Sequence, residues 1–164
     1  RRLSAVAIGG LTEVGFAAGT DLILVLSAQG RGVFDCTTGD RLARDYEEPI
    51  GESSWYNDIE LWSMGIGPLQ GHRVALAGVF GGGLRRATAD GWGLELVSPD
   101  WPESFIVLYP QWIRGSVFDD PTPTDYVRIA PQYGSDAVTA YGFSDTGQTF
   151  VVAMSHTLEI YARA

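Results

Sequence analysis

The most reactive side chains in this sequence are a single cysteine, Cys36, and two histidines, His72 and His156. A cysteine beside a histidine can act as a nucleophile with its base. Cys36, however, lies in an alternating strand pattern, and free cysteines are among the most buried residue types. We therefore interpret Cys36 as a structural thiol. The histidines are far apart and lack the spacing of zinc ligands, so we expect neither nucleophilic catalysis nor a zinc site.

Three consecutive glycines, residues 81–83, stand shortly before Arg85 and Arg86 and could form an anion cradle. A phosphate-binding loop normally opens a helix, because the helix N-terminus attracts the anion. Here the sequence Thr-Ala-Asp-Gly follows, which is typical of turns. We favour a tight connection or a β-bulge over a ligand loop.

Two acidic groups offer oxygen atoms for metal binding or acid–base chemistry. Asp119, Asp120 and Asp125 lack the spacing of a known calcium loop, and prolines separate them, so we favour a solvated loop. Glu47 and Glu48 lie in an acidic run with no sign of the differing environments that an acid–base pair needs. We therefore expect a protein without enzymatic activity, metal or cofactor.

The composition favours one globular domain, residues 1–164, built from β-strands. Of the 164 residues 45% are hydrophobic, while 21 Gly and 8 Pro predict many turns and short elements. One cysteine excludes an internal disulfide, so a reducing, cytoplasmic location is the expectation, although a removed signal peptide remains open. No apolar run reaches the length of a membrane span.

Residues 13–45 show the strand pattern most clearly. Apolar runs at 14–16, 22–26, 32–36 and 41–44 alternate with turns that pair Gly with Asp, Thr or Gln. Gly supplies the positive φ angles of tight turns, and Asp or Thr can bond the local backbone there. This pattern predicts four antiparallel strands.

Residues 138–163 repeat this order with strands at 138–143, 149–154 and 157–161. The segments GFSDTGQTFVVAMSHTLEIY (142–161) and VFDCTTGDRLAR (33–44) resemble blade segments of WD40-like and related β-propellers. The resemblance covers the first and last thirds of the chain and lacks the Gly-His and Trp-Asp pairs of that family. It implies a small, antiparallel, propeller-like array of short strands. A β-sandwich is the alternative.

The charge points to a class of partner. The net charge is −9, and residues 45–60 hold six acidic residues and no basic one. An acidic surface repels phosphate backbones, which disfavours nucleic acid, and it accelerates association with basic proteins. We predict a surface loop over 45–60.

The predicted partner-binding residues are the acids and the aromatic pair of this loop: Glu47, Glu48, Glu52, Trp55, Tyr56, Asp58 and Glu60. An aromatic pair in a polar loop is either an anchor onto the core or an interface hot spot. The leading hypothesis is a protein-binding module, for example a bacterial immunity or inhibitor protein that neutralises a basic toxin. The alternative is a small-ligand or carbohydrate-binding domain that uses Trp92, Trp101 or Trp112 as stacking platforms.

Overall fold

The computed structural model describes residues 1–50, 53–98, 102, 104–109, 126–129 and 138–163. In this part of the chain every regular element is a β-strand except one short 3-10 helix, Gly67–Leu69, so the all-β prediction is confirmed. The strands are β1 (Arg2–Ala7), β2 (Leu11–Phe16), β3 (Leu22–Ser27), β4 (Gly30–Asp35), β5 (Arg41–Arg44), β6 (Tyr56–Asn57), β7 (Trp62–Met64), β8 (Arg73–Ala75), β9 (Ala77–Gly78), β10 (Gly93–Val97), β11 (Phe105–Tyr109), β12 (Val127–Ile129), β13 (Val138–Phe143), β14 (Thr149–Met154) and β15 (Thr157–Ala162).

The chain divides into two compact units, Arg1–Arg85 with Val138–Ala164 and Arg86–Ala137. The first unit contains three antiparallel sheets, which we name sheet A (β1-β15-β14-β13), sheet B (β5-β4-β3-β2-β9) and sheet C (β6-β7-β8). The second contains sheet D (β10-β11-β12). Compactness does not test whether the units fold separately, so a single domain over residues 1–164 stays a prediction.

Sheet B is covered by apolar side chains on both faces. On β3, Ile23 and Val25 belong to a core cluster shared with sheet A, whereas Leu24 and Leu26 belong to a second cluster shared with sheet C. Successive residues of a strand face opposite sides of the sheet. The uninterrupted apolar run at 22–26 therefore has a physical cause: neither face of β3 meets solvent.

Sheet C packs closely on β2 at Gly15. A Cβ atom at this position would lie 2.1 Å from the carbonyl oxygen of Ala75 and 2.8 Å from Cγ1 of Val74. Any larger residue would push β8 away from β2, so Gly15 is required by packing. Tyr56, Val74 and Leu76 then fill the apolar layer between the two sheets.

Sheet A joins the beginning of the chain to its last strands, because β1 pairs antiparallel with β15. The predicted strands 138–143 and 149–154 have the same bounds in the structure as β13 and β14. Every residue of β14 is buried, and the ring of Phe150 stacks on Tyr161 with 4.7 Å between centroids. Local turn chemistry predicted these strands, whereas the pairing with β1 depends on contacts across the whole chain.

The turn between β2 and β3 is bound to the turn between β13 and β14 through Asp21. Its Oδ1 accepts hydrogen bonds from the hydroxyls of Ser144 (2.7 Å), Thr146 (2.8 Å) and Thr149 (2.7 Å). In return, the backbone N–H of Gly19 donates to Oδ2 of Asp145 at 2.9 Å. The Ser-Asp-Thr-Gly turn therefore joins sheets A and B, which is a structural role.

Two predicted elements differ from the observed ones. The predicted loop at 45–60 contains strand β6, since Tyr56 is drawn into the core and Asn57 pairs with Trp62. The apolar run at 72–80, which the sequence also predicts as one strand, is divided into β8 and β9, because β8 pairs with β7 in sheet C whereas β9 pairs with β2 in sheet B. A further strand that the sequence predicts at 112–118 lies outside the described residues.

Among the described residues, no helix has the length and apolar character needed to cross a lipid bilayer. The cytoplasmic location stays a prediction.

Candidate functional site

Cys36 differs from both histidines in its exposure to solvent. Cys36 is fully buried in the cluster between sheets A and B, whereas His72 and His156 are exposed. Burial, together with the negative charges of Asp21 and Asp35, raises the pKa of the Cys36 thiol far above its usual range. A thiol that stays protonated is a poor nucleophile, so the interpretation of Cys36 as a structural residue is supported.

We expect Cys36 to resist thiol-specific reagents in the native protein. An aromatic disulfide such as DTNB should react with it only after unfolding in denaturant, because both access and the thiolate are lacking in the folded state. The absorbance of the released thiolate measures the reaction, and a free thiol in the same buffer serves as the control. Rapid stoichiometric labelling of the folded protein would contradict this expectation.

The other candidate ligand groups do not assemble into a metal or anion site in the described part of the chain. No cluster of three or more His, Cys, Asp or Glu residues able to hold a metal ion occurs there, and Asp119, Asp120 and Asp125 fall outside it. A Cβ atom at Gly82 would lie 2.3 Å from the carbonyl oxygen of Leu76, which supports the tight-connection interpretation of residues 81–83.

The acidic segment 45–60 is held in place by Arg31 of β4. This guanidinium is buried, with 6% of the residue exposed, and donates to Oδ2 of Asp45 from Nε (3.0 Å) and Nη2 (2.6 Å). It also donates to the carbonyl oxygen of Met64 at 2.9 Å and lies 3.8 Å from the centre of the Trp55 ring. Arg31 thus joins the start of the segment to Trp55 and to β7.

Glu47 completes this cluster and is already engaged within the protein. Its Oε1 accepts a hydrogen bond from the indole N–H of Trp55 at 2.8 Å, and its Oε2 lies 3.9 Å from Nη2 of Arg31. This pairing neutralises part of the negative charge that was predicted to attract a basic partner. Trp55 is half-buried under the guanidinium of Arg31, which corresponds to the anchor alternative.

A second cluster of the same composition lies at the end of the segment, on the surface. Glu60 accepts hydrogen bonds from the indole N–H of Trp62 and from Arg73, both at 2.9 Å. The hydrogen bond from Trp62, followed by that from Arg73, holds the pKa of Glu60 below its ordinary value. Arg73 also lies 4.2 Å from the centre of the Trp62 ring. Glu60 therefore keeps its negative charge to a lower pH than an unpaired glutamate does.

Tyr56 is buried and contacts a carboxyl group that the sequence analysis did not single out. Only 2% of Tyr56 and 1% of Glu13 are exposed. The Tyr56 hydroxyl donates to Oε2 of Glu13 at 2.8 Å, while Oε1 has no hydrogen-bond partner among the described residues. Tyr56 is therefore an anchor of the segment onto sheet B and is not available for direct contact with a partner in this conformation.

The surface that remains for a partner is both acidic and apolar. Tyr46, Ile50 and Ile59 are 79%, 73% and 75% exposed. Among the acids near these residues in the sequence, Glu48 and the paired Glu60 are exposed, and Asp58 is half-exposed. Glu52 lies outside the described residues. The described acids and the three large apolar side chains thus lie in two stretches that are close in sequence, 45–50 and 58–60.

Several residues of this site were missed by the sequence analysis. Arg31 stands between two glycines in an otherwise apolar strand, and Glu13 is the one acid of β2. A charged residue in a buried strand pattern was a usable signal, because it needs a partner when buried. Tyr46, Ile50 and Ile59 carry no such signal, since exposed apolar residues are common on proteins.

The three tryptophans predicted as stacking platforms do not help to distinguish a carbohydrate-binding domain from a protein-binding one. Trp92 is half-buried, and its backbone N–H donates a hydrogen bond to the hydroxyl oxygen of Thr88 at 3.0 Å. Trp101 and Trp112 lie outside the described residues. The stacking platform for a carbohydrate therefore stays a prediction.

Comparisons of this chain with protein-family models, with curated proteins and with solved structures found no match. The resemblance to WD40-like propellers stays a prediction, and the candidate site depends on its own geometry.

Proposed function

We propose that this chain is a non-enzymatic protein-binding module whose acidic face, residues 45–60, binds a basic protein partner. The observation that carries the proposal is the exposure of three large apolar side chains, Tyr46, Ile50 and Ile59, in a segment that also carries exposed acids. Apolar anchors surrounded by polar residues are typical of protein interfaces.

The way in which this segment is held supports the proposal. Arg31 fixes its beginning, and Tyr56 fixes its centre on sheet B. A pre-ordered segment loses little conformational entropy when it binds. Residues 45–50 contain no strand. Side-chain contacts such as that between Arg31 and Asp45 therefore hold these residues and their exposed side chains in position.

The charge supports a basic partner. With a net charge of −9, the protein is attracted to positively charged surfaces, which increases the association rate and makes it depend on salt. One concrete form is a bacterial immunity or inhibitor protein that covers the basic active-site cleft of a toxin such as a nuclease. A cleft that binds nucleic acid is basic, and an acidic face complements it.

For the fold we propose a propeller-like arrangement in which sheets A and B correspond to blades. Support comes from their topology: β2 to β5 follow one another as neighbours in sheet B, and β13 to β15 do so in sheet A, with β1 as the fourth strand. Repeated four-stranded antiparallel sheets are the unit of such folds.

Binding to a partner isolated from the native host tests the function. We expect one stoichiometric basic protein, with an affinity that decreases as salt is raised. Glu48→Gln and Ile59→Ser should each weaken binding by about tenfold, the range of a single interface contact. Calorimetric titration of the purified pair measures both effects.

Two matched variants serve as controls. Asp40→Asn removes one exposed negative charge outside the segment, and Leu42→Ser removes an apolar side chain that is 47% exposed on β5. Both should leave the affinity unchanged. Equal weakening by all four variants would reject the segment as the binding face, and the absence of any stoichiometric protein partner would reject the function.

A further inference from the structure

Glu13 is a buried carboxyl group with an incomplete set of partners. Glu13 belongs to β2 of sheet B, and its side chain points toward sheet C, where Oε2 accepts a hydrogen bond from Tyr56 at 2.8 Å. Its Oε1 has no partner among the described residues. Glu159 in sheet A is equally buried, but it accepts from the Tyr161 hydroxyl at 2.6 Å and pairs with Arg2 at 3.4 Å. An ionised carboxylate without a cation is costly in such a place.

The groups around Glu13 favour its neutral form. Opposite it on β3 and β9 lie Leu26 and Gly78, neither of which titrates. From sheet C, β6 contributes Tyr56, and Asp58 follows it with a negative charge. The cation on β8, Arg73, is paired with Glu60. Burial first, and then the charge of Asp58, raise the pKa of Glu13, which the Tyr56 hydrogen bond only partly offsets.

We propose that Glu13 and Tyr56 form a proton-sensitive contact that holds residues 53–64 on sheet B, firmly when Glu13 is protonated and less firmly when it is ionised. The contact joins the buried centre of sheet B to the segment that carries the exposed acids. Its consequence for partner binding depends on the proposed function, whereas the contact itself is a property of the free protein.

The direction of the pH effect follows from proton binding. When residues 53–64 are docked, the pKa of Glu13 is raised; when they detach, Glu13 meets water and returns to its ordinary value near 4.5. Between these two values the docked state binds more protons than the open state. The docked state is therefore fully stabilised below the ordinary pKa, and it loses this stabilisation as pH rises through the raised pKa.

Amide hydrogen exchange of the free protein tests the contact. The backbone N–H of Leu76, between β8 and β9, donates to the carbonyl oxygen of Leu61 at 2.8 Å and so reports docking of residues 53–64. After correction for intrinsic rates, we expect its protection to fall by up to about tenfold per pH unit between the ordinary and the raised pKa, the limit for one linked proton. Amides of β14 should not follow this change.

Glu13→Gln should remove the pH dependence at Leu76 because the side chain no longer titrates. Glu159→Gln, the matched change at the other buried carboxyl group, should leave that dependence in place. An unchanged pH dependence in Glu13→Gln would overturn the proposal.

The carboxyl carbon of Glu13, followed by ¹³C NMR in the unmodified protein, gives a second measurement that requires no variant. We expect the measured pKa of Glu13 to lie above the ordinary value of a glutamate. It should be higher still in Tyr56→Phe, because this variant loses the hydrogen bond that favours the charged form. Titration at the ordinary value would also overturn the proposal. Since no partner enters either experiment, a failure here is distinct from a failure of the proposed function.

Discussion

Replacement of Asp21 by alanine is expected to lower the free energy of unfolding by about 3 kcal/mol, since hydroxyl groups that donate to a charged acceptor would lose it. Ser144 and Thr149 are buried, at 0% and 1% exposure, and both donate to Oδ1 of Asp21. A buried donor without its acceptor is destabilising because water cannot replace the lost partner. Urea unfolding followed by circular dichroism measures the change.

Two further variants separate this effect from the loss of any turn aspartate. Asp21→Asn keeps an oxygen acceptor without the charge, so its destabilisation should be intermediate. Asp35→Ala removes a carboxylate whose hydrogen bonds, in the described part of the chain, stay within its own turn and come from the N–H and hydroxyl of Thr37. If Asp21→Ala costs no more than Asp35→Ala, the bond between the two turns contributes little to stability.

Replacement of Arg31 by methionine is expected to cost about 3 kcal/mol or more, the usual effect of removing one partner of a buried ion pair. The change would remove the guanidinium from Oδ2 of Asp45, from the carbonyl oxygen of Met64 and from the Trp55 ring. Detachment of the acidic segment should follow. Urea unfolding gives the global effect, and amide exchange at Met64 gives the local one.

Arg73→Met is the matched control, because Arg73 also pairs with a glutamate and covers a tryptophan. The side chain of Arg73 is 58% exposed, whereas that of Arg31 is 7% exposed. Solvent screens an exposed pair, so Arg73→Met should change stability far less. Arg31→Lys should be nearly as harmful as Arg31→Met, because lysine lacks the planar fork that binds Asp45 and stacks on Trp55. Equal effects at both arginines would show that burial is not the deciding factor.

The candidate site was predictable in location but not in construction. Six acids without a base in residues 45–60 drew attention to the segment from the sequence alone. That Glu47 and Glu60 are paired with arginines, while Glu48 is exposed, depends on Arg31 and Arg73 arriving from other strands. A count of charges along the chain cannot show which of them are neutralised across it.

Strands β3, β13 and β14 and the turns beside them are predictable from the sequence alone, because turn geometry is local. Gly and Asp positions ended the apolar runs, so β3, β13 and β14 have the bounds, within one residue, that the pattern predicted. The long-range contacts become visible in the folded structure: β1 pairs with β15, Asp21 contacts Ser144, and Tyr56 contacts Glu13. These contacts join residues 43 or more positions apart, where the three-dimensional packing of the sheets decides which side chains meet.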